Sequence, residues 1–359
     1  MSSYSIARVP GDGTGPEVVQ EAVKVLDVAG EVYGFELDYT DLDLGGERYL
    51  RTQETLTGSD LETLGNAHAI LFGAVGHPDV PPGVLEQEIL LRMRRELDQF
   101  VNLRPVKLHP GVNGPLRDVD PAHVDFVVVR ENSEGLYVGQ GEFTAKGSPF
   151  EVAVQLSVNS RFGVERCIRY AFDLASSRPR RHLTMCAKTN VLTYASDLWA
   201  RVFEEVGAEY PDVETAYAHI DAACLWLVED PSRFDVIVTD NMFGDIITDL
   251  GAAVQGGMGI ASGANVNPNG VSMFEPIGGT APGFEGTGLI NPLAAIGAGA
   301  MMMDILGEPK AGAAIESAVG EVAGTLPSLR AGQMGISTAE VGDRVAGLVA
   351  ESAPAGAAR

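Results

Sequence analysis

GDGTGPEV, residues 11–18, joins an apolar run, SIARV (5–9), to a helical pattern that starts at Pro16, where proline suits a first turn. A glycine-rich link between strand and helix is where dinucleotide-binding Rossmann proteins carry G-x-G-x-x-G. Counted from Gly11, that spacing requires a glycine at 16 and meets Pro16 instead. The fingerprint fails, so the chain does not read as a Rossmann protein. Its glycines read as a tight turn, either beside a ligand or purely structural.

Strand and helix patterns alternate on from that turn. AHAILFG (67–73) is a second apolar strand, with a helix over roughly 84–98. VDFVVVR (124–130) and FEVAVQLSV (150–158) are strand-like, and YVGQGEFTAKGSP between them reads as an exposed arm. HLTMCAK (182–188) leads to a helix near 193–207, TAYAHI (215–220) ends at Asp221, and FDVIV (234–238) is a buried-strand pattern. From 292 onward the pattern is mostly helical, and ESAPAGAAR is a frayed tail. Such alternation predicts an α/β architecture with much parallel sheet. With no internal repeat and no low-complexity linker, a second domain reads as an insertion rather than a tethered bead.

The 359 residues suffice for two domains or one large α/β body. Forty-nine acids against 25 bases leave a formal charge of −24, which disfavours nucleic acid as a partner. Positive groups are scarce, so an arginine at a strand end carries information. Cys167, Cys186 and Cys224 are odd in number, widely spaced and without C-x-x-C, and read as free thiols in a reducing cytosol. The N-terminus lacks a signal pattern, and the Gly/Ala-rich stretch 292–306 is interrupted by Asp304. A soluble, cytoplasmic protein without a membrane span is expected.

The polar groups with chemical promise sit after strand-like runs. In TDNMFGDIITD (239–249), Asp245 and Asp249 stand four apart. On a helix they share a face, where like charges repel by roughly 0.2–0.5 kcal/mol. Asp221 follows another strand. Carboxylates with no His or Cys among them suit Mg²⁺ or Mn²⁺. A solvated helix N-terminus is the competing explanation. Arg94, Arg104 in NLRP and Arg130 at the end of VDFVVVR could each grip a carboxylate in bidentate fashion. Taken singly, each also reads as a surface or salt-bridge arginine. Tyr137 in RENSEGLYVG and Lys188 in AKTN are single titratable groups beside turns, with ordinary packing and a solvated charge as the bland alternatives.

With these residues in view, the chain resembles the β-decarboxylating dehydrogenases, the isocitrate/isopropylmalate dehydrogenase family, over about residues 5–348. The resemblance is carried by GDGTGPEV, LLRMRRELDQFVNLRP, VVRENSEGLYVG, AKTNVLTY, HIDAAC, TDNMFGDIITDLGAAVQGG and EPIGGTAPGFEGTGLINP, in that order. It implies a two-domain α/β fold with a mixed, largely parallel sheet. Residues 1–100 with 252–359 would form the cofactor domain. Residues 101–251 would carry substrate, metal and dimer contacts, with an interface arm near 139–158. It implies a homodimer whose active site is shared between subunits. Arg94, Arg104 and Arg130 would hold substrate carboxylates. Asp245 and Asp249, with the partner's Asp221, would hold Mg²⁺ or Mn²⁺. Tyr137 and the partner's Lys188 would be the acid/base pair.

The same resemblance implies a nicotinamide cofactor near Thr14, Ala74, Asn190, Glu275, Gly278, Gly279, Ala281, Gly283 and Asn291. Gly278 stands where the family usually has histidine, and Gly283 where it has the aspartate expected to bind the adenosine ribose; Glu285 is an acid two residues on. No Lys or Arg occurs between 275 and 292 to receive a 2′-phosphate, which favours NAD over NADP. Leu90 and Leu91, one turn before Arg94, match positions lining the isopropyl pocket of isopropylmalate enzymes. The implied reaction is NAD-dependent oxidative decarboxylation of a 3-alkylmalate, foremost 3-isopropylmalate to 2-oxo-4-methylpentanoate in leucine biosynthesis. D-malate/tartrate activity, isocitrate/homoisocitrate activity and a specialised-pathway paralogue are the alternatives within the family. A silent relative that only binds a metabolite is the alternative outside enzymes.

Overall fold

The computed structural model describes residues 2–116 and 119–353. The chain begins β1 (Ser2–Gly11), α1 (Gly15–Tyr33), β2 (Phe35–Asp41), α2 (Gly46–Thr52), α3 (Gly58–Gly65), β3 (Ala69–Ala74) and α4 (Leu91–Glu96). It continues with β4 (Val101–Lys107), β5 (Asp125–Glu131), β6 (Gly141–Thr144), β7 (Val152–Gln155), α5 (Arg161–Ser177), β8 (His182–Ala187) and α6 (Ala195–Gly207). Next come β9 (Glu214–His219), α7 (Ile220–Glu229), β10 (Val236–Thr239) and α8 (Asn241–Val254). Last are β11 (Ser262–Val266), β12 (Ser272–Pro276), α9 (Leu293–Ile305), α10 (Pro309–Thr325) and α11 (Thr338–Glu351).

Two compact units result: Met1–Gln99 with Pro105–Val124 and Ala252–Arg359, and Phe100–Arg104 with Asp125–Gly251. Residues 105–124, assigned by the sequence to the middle segment, therefore pack in the first unit. The helix expected over 84–98 opens as a π-helical turn, Glu86–Leu90, and becomes α-helical only at Leu91.

In the first unit the strands run β2-β1-β3-β12-β11. β1 is parallel to β2 and β3, and β12 is parallel to β3 but antiparallel to β11. This mixed order differs from the doubly wound Rossmann arrangement. β3, AILFGA, is buried at every position, as a central strand covered on both faces should be. α9, LAAIGAGAMMMDI, is apolar all round and mostly buried against β11 and β12, so its hydrophobic run belongs to a core rather than a bilayer. No described helix is long and apolar enough to cross a membrane.

In the second unit β5-β10-β8-β9 are all parallel. Thr239 pairs with Arg130 on one side and Cys186 on the other, while Ala187 pairs with His219. All four strands therefore end along one edge, where parallel α/β sheets gather their ligands. β10 is entirely buried, and β5 is buried from Phe126 to Glu131. Cys167 and Cys186 are buried free thiols and Cys224 a half-buried one.

FEVAVQLSV is not a core strand. Only Val152–Gln155 is extended, pairing antiparallel with β6 in a separate two-stranded ribbon whose side chains are all exposed. Phe143 is 56% and Phe150 83% exposed on it. The apolar alternation is real, but among the described residues nothing covers it.

Candidate active site

Arg130 lies at the strand-end edge of the second unit, only 2% exposed. Its Nε donates to the Asn241 carbonyl at 2.9 Å and to Asn241 Oδ1 at 3.1 Å, and Nη2 donates to the same Oδ1 at 2.8 Å. Nη1 reaches Asp245 Oδ1 at 2.5 Å. The guanidinium also stands over the Tyr137 ring, 5.3 Å from its centroid. Tyr137 donates its hydroxyl to Asp245 Oδ2 at 2.9 Å. Burial pushes the Tyr137 phenol above its ordinary range; the Arg130 cation opposes this and the Asp245 charge adds to it. The phenol therefore holds its proton at neutral pH.

α8 carries the acids. Asp240 caps it by accepting the Phe243 N–H at 2.8 Å. One turn apart on the helix, Asp245 and Asp249 feel each other: the Asp249 carboxyl is raised by burial first and by the Asp245 charge second, with Arg104 and Arg130 opposing. Two hard carboxylates that repel in this way are a donor set that fits a divalent cation. Arg104 is buried and donates from Nε to Asn102 Oδ1 at 2.7 Å. Among the described residues no third His, Cys, Asp or Glu completes a metal cluster around them.

Asp221 stands instead with Lys188. Lys188 follows the last residue of β8, Asp221 lies in the first turn of α7, and Nζ donates to Oδ1 at 2.6 Å. The Lys188 hydrogen bond draws the Asp221 carboxyl below its ordinary range. The carboxylate is 68% exposed, leaving its other oxygen accessible.

In the first unit, Arg94 is buried on α4 and donates to Glu275 Oε1 at 3.3 Å. The same Glu275 Oε1 also accepts from Asn265 Nδ2 at 2.7 Å. Leu90 ends the π-helical turn, half-buried against the core around Ile89 and Met93, and Leu91 opens α4 beside it, also half-buried. A π-helical turn so placed offsets the two leucines from a regular helical stripe, a deviation frequent at functional sites.

A cavity of about 970 Å³ opens in the same unit. Thr14, Ala74, Gly278, Gly279, Ala281 and Asn291 are among the residues that line it. Glu275 and Gly283 do not line it, and Asn190 belongs to the other unit. The volume is that of a large ligand pocket and fits a dinucleotide. Its walls are glycine-rich and apolar, and Arg330 is the only charged lining residue among those described.

GDGTGPEV builds one wall of this cavity. Gly11, at φ +74°, abuts β3 so closely that a Cβ would lie 1.8 Å from the Ala74 carbonyl oxygen. The Asp12 carboxylate accepts the N–H groups of Gly46 and Gly76 at 2.8 and 2.9 Å. Thr14 donates from N and Oγ1 to the Thr280 carbonyl, and Glu17 accepts the N–H groups of Gly286 and Gly288. Both tie the 276–291 loop to the start of α1. Of the two readings of these glycines, a turn beside a ligand cavity fits.

Three positioning residues carry little signal in sequence. Asn241 orients Arg130, Gly244 leaves it room, and Glu131 accepts from Ser133 and Glu134 to shape the turn toward Tyr137. Only the run of buried valines before Arg130 hints that its neighbours are constrained.

Comparison with known proteins agrees with this geometry. The isocitrate/isopropylmalate dehydrogenase family matches residues 5–345. A 3-isopropylmalate dehydrogenase of Thermobifida fusca is 51% identical over 352 residues, covering 97% of this chain and 98% of that one. Another from Corynebacterium efficiens is 52% identical over 348 residues, covering 96% and 99%. Among solved structures, an isocitrate dehydrogenase from Methylococcus capsulatus superposes with a TM-score of 0.86 at 34% identity, covering 97% of this chain and 99% of that one. The chain belongs to the isocitrate/isopropylmalate dehydrogenase family.

Proposed function

We propose that this protein catalyses the NAD-dependent oxidative decarboxylation of 3-isopropylmalate to 2-oxo-4-methylpentanoate, a step of leucine biosynthesis. The carrying observation is near-complete coverage at about half identity to 3-isopropylmalate dehydrogenases, against 34% to the isocitrate dehydrogenase. Leu90 and Leu91 beside Arg94 support an alkyl side chain over a third carboxylate. The test is turnover by the purified protein with Mn²⁺ and either NAD or NADP, on isopropylmalate, D-malate, tartrate and isocitrate. A kcat/KM for D-malate, tartrate or isocitrate well above that for isopropylmalate would refute the substrate. Absence of dinucleotide binding by calorimetry would favour a silent relative.

Arg94, Arg104 and Arg130 hold the substrate carboxylates, bidentate donors being suited to that task. Lys188, once neutral, takes the proton of the substrate hydroxyl. When bound, the nicotinamide supplies a hydride acceptor, and a divalent ion held by Asp245, Asp249 and Asp221 supplies Lewis acidity at the hydroxyl and at the enolate left by loss of CO₂. Tyr137, kept protonated by burial, returns a proton to the enolate carbon. One hydroxyl proton, one hydride and CO₂ leave the substrate, and one proton is restored.

The active enzyme is a homodimer in which Lys188 and Asp221 serve the partner's Tyr137, Asp245 and Asp249. Support comes from the exposed ribbon, and from Leu225 and Val228 on α7 with Met242 and Ile246 on α8, apolar residues left uncovered on the second unit.

A further inference from the structure

Tyr217, on β9, occupies a position that the reaction above does not use. Its hydroxyl accepts the Thr189 N–H at 3.2 Å and lies 3.0 Å from Thr189 Oγ1, 3.3 Å from the Ala187 carbonyl and 2.9 Å from His219 Nδ1. Groups on both chain neighbours of Lys188 thus converge on one oxygen. His219, on the same oxygen, lies two residues before Asp221, the carboxylate that pairs with Lys188. One hydroxyl, carried by the strand that leads to Asp221, therefore links the backbone on both sides of Lys188 to the His219 side chain.

The bond inventory allows this. A phenol has one proton and two acceptor sites. Accepting from the Thr189 N–H and hydroxyl leaves the one proton to be divided between the Ala187 carbonyl and His219 Nδ1.

Lys188 needs such a fastening. It has left β8, its long side chain has many rotamers, and its ion-pair partner is largely exposed. Exposed ion pairs fix geometry weakly. Proton transfer from a substrate hydroxyl demands hydrogen-bond reach, and small misplacements are costly in rate.

We propose that Tyr217 is the positioning residue of Lys188, its hydroxyl setting the backbone from which the ammonium group reaches. The inference rests on Lys188 being the general base proposed above. Tyr217 itself touches no reacting atom.

The test compares wild type, Tyr217→Phe, Thr189→Val, the double variant and Lys188→Met, with the hydroxy-diacid the protein turns over. Phenylalanine keeps the ring and removes only the hydroxyl. Tyr217→Phe should lower kcat about five- to tenfold, with KM values, the Mn²⁺ activation constant and Tm essentially unchanged. Thr189→Val should cost less in the Tyr217→Phe background than in wild type, because the two share a contact. Wild-type kcat in Tyr217→Phe, a kcat loss accompanied by a clear fall in Tm, or strictly additive effects would each overturn the assignment. If Lys188→Met is inactive while Tyr217→Phe is normal, this inference alone fails. If Lys188→Met still turns over, the base assignment falls and the inference with it.

Discussion

Gly244 and Arg130 occupy one space: a Cβ on Gly244 would lie 2.3 Å from Cγ of Arg130 and 2.7 Å from its Cβ. Glycine here makes room for the arginine to pass α8 and reach both Asn241 and Asp245. Gly244→Ala should displace the guanidinium, because the contact is with the rigid base of that side chain and not its flexible end. We expect a loss of about 1–3 kcal/mol in stability from overpacking. A fall in kcat/KM of up to about a hundredfold should accompany it if the guanidinium moves by an ångström. Steady-state kinetics and urea melts check this, and wild-type values in both would remove Arg130 from the substrate site.

Asp245 divides its oxygens between a cation and a phenol, Arg130 on Oδ1 and Tyr137 on Oδ2. Asp245→Asn keeps the shape and removes the charge that a divalent ion would need. Mn²⁺ affinity, read by calorimetry, should weaken at least about tenfold, and turnover with it. Treatment of the wild type with a chelator should abolish turnover, and added Mg²⁺ or Mn²⁺ should restore it. Unchanged Mn²⁺ affinity in Asp245→Asn would place the metal elsewhere.

Much of the frame was readable from residue pattern. FDVIV and VDFVVVR announce buried parallel strands because both faces are covered, and Asp245/Asp249 share a face by helical spacing alone. β2, FELDYTD, is not legible as a strand in the sequence because an edge strand with mostly exposed or half-exposed side chains lacks an apolar run. FEVAVQLSV reads as strand-like and does supply the strand Val152–Gln155, but alternation shows only that a face will be covered, not by which chain. Asn241 and Gly244 could not be found from local pattern, since their roles depend on an arginine 111 and 114 residues away along the chain. Glu275 matches a cofactor position by resemblance, while its hydrogen bond with Arg94, 181 residues away, is one that no local pattern announces.

The Asp240 carboxyl is pushed up to about 6 by burial, against the backbone N–H groups of Phe243 and Met242, which favour its charged form. Unfolded, it returns to an ordinary aspartate near 3.9. The folded state therefore binds this proton more tightly. Its contribution to stability grows as pH falls from about 6 toward 4 and is lost as pH rises through 6. Each pH unit between those limits is worth at most about 1.4 kcal/mol. Asp240→Asn keeps a helix cap without the titration. The gain in unfolding free energy between pH 7 and pH 5, from urea melts, should be larger in wild type than in Asp240→Asn. Equal gains would mean that Asp240 does not titrate in this range.

Arg330 qualifies the cofactor preference. The 275–292 loop offers a 2′-phosphate no cation, but Arg330 lines the same cavity from outside that loop and has no ion-pair partner among the described residues. A phosphorylated dinucleotide would gain more from it than NAD. Arg330→Ala should therefore raise the ratio of kcat/KM for NAD over NADP by about tenfold, the worth of one charge-assisted hydrogen bond. An equal loss with both cofactors would assign Arg330 to a group they share.

Within one chain Lys188 pairs with Asp221, while no third carboxylate joins Asp245 and Asp249 among the described residues. If the complete site takes its halves from two subunits, two inactive variants should complement each other. In a mixed dimer of Lys188→Met and Asp245→Asn, one site combines an intact Asp245 with the partner's Lys188, while the other site carries both defects. Random pairing makes half the dimers mixed, so co-expression should restore about a quarter of wild-type activity for a symmetric shared-site dimer. Were each site built within one chain, every site would carry one defect and no activity would return. Light scattering on the same sample must show dimers; activity near zero in such a sample would refute the shared site.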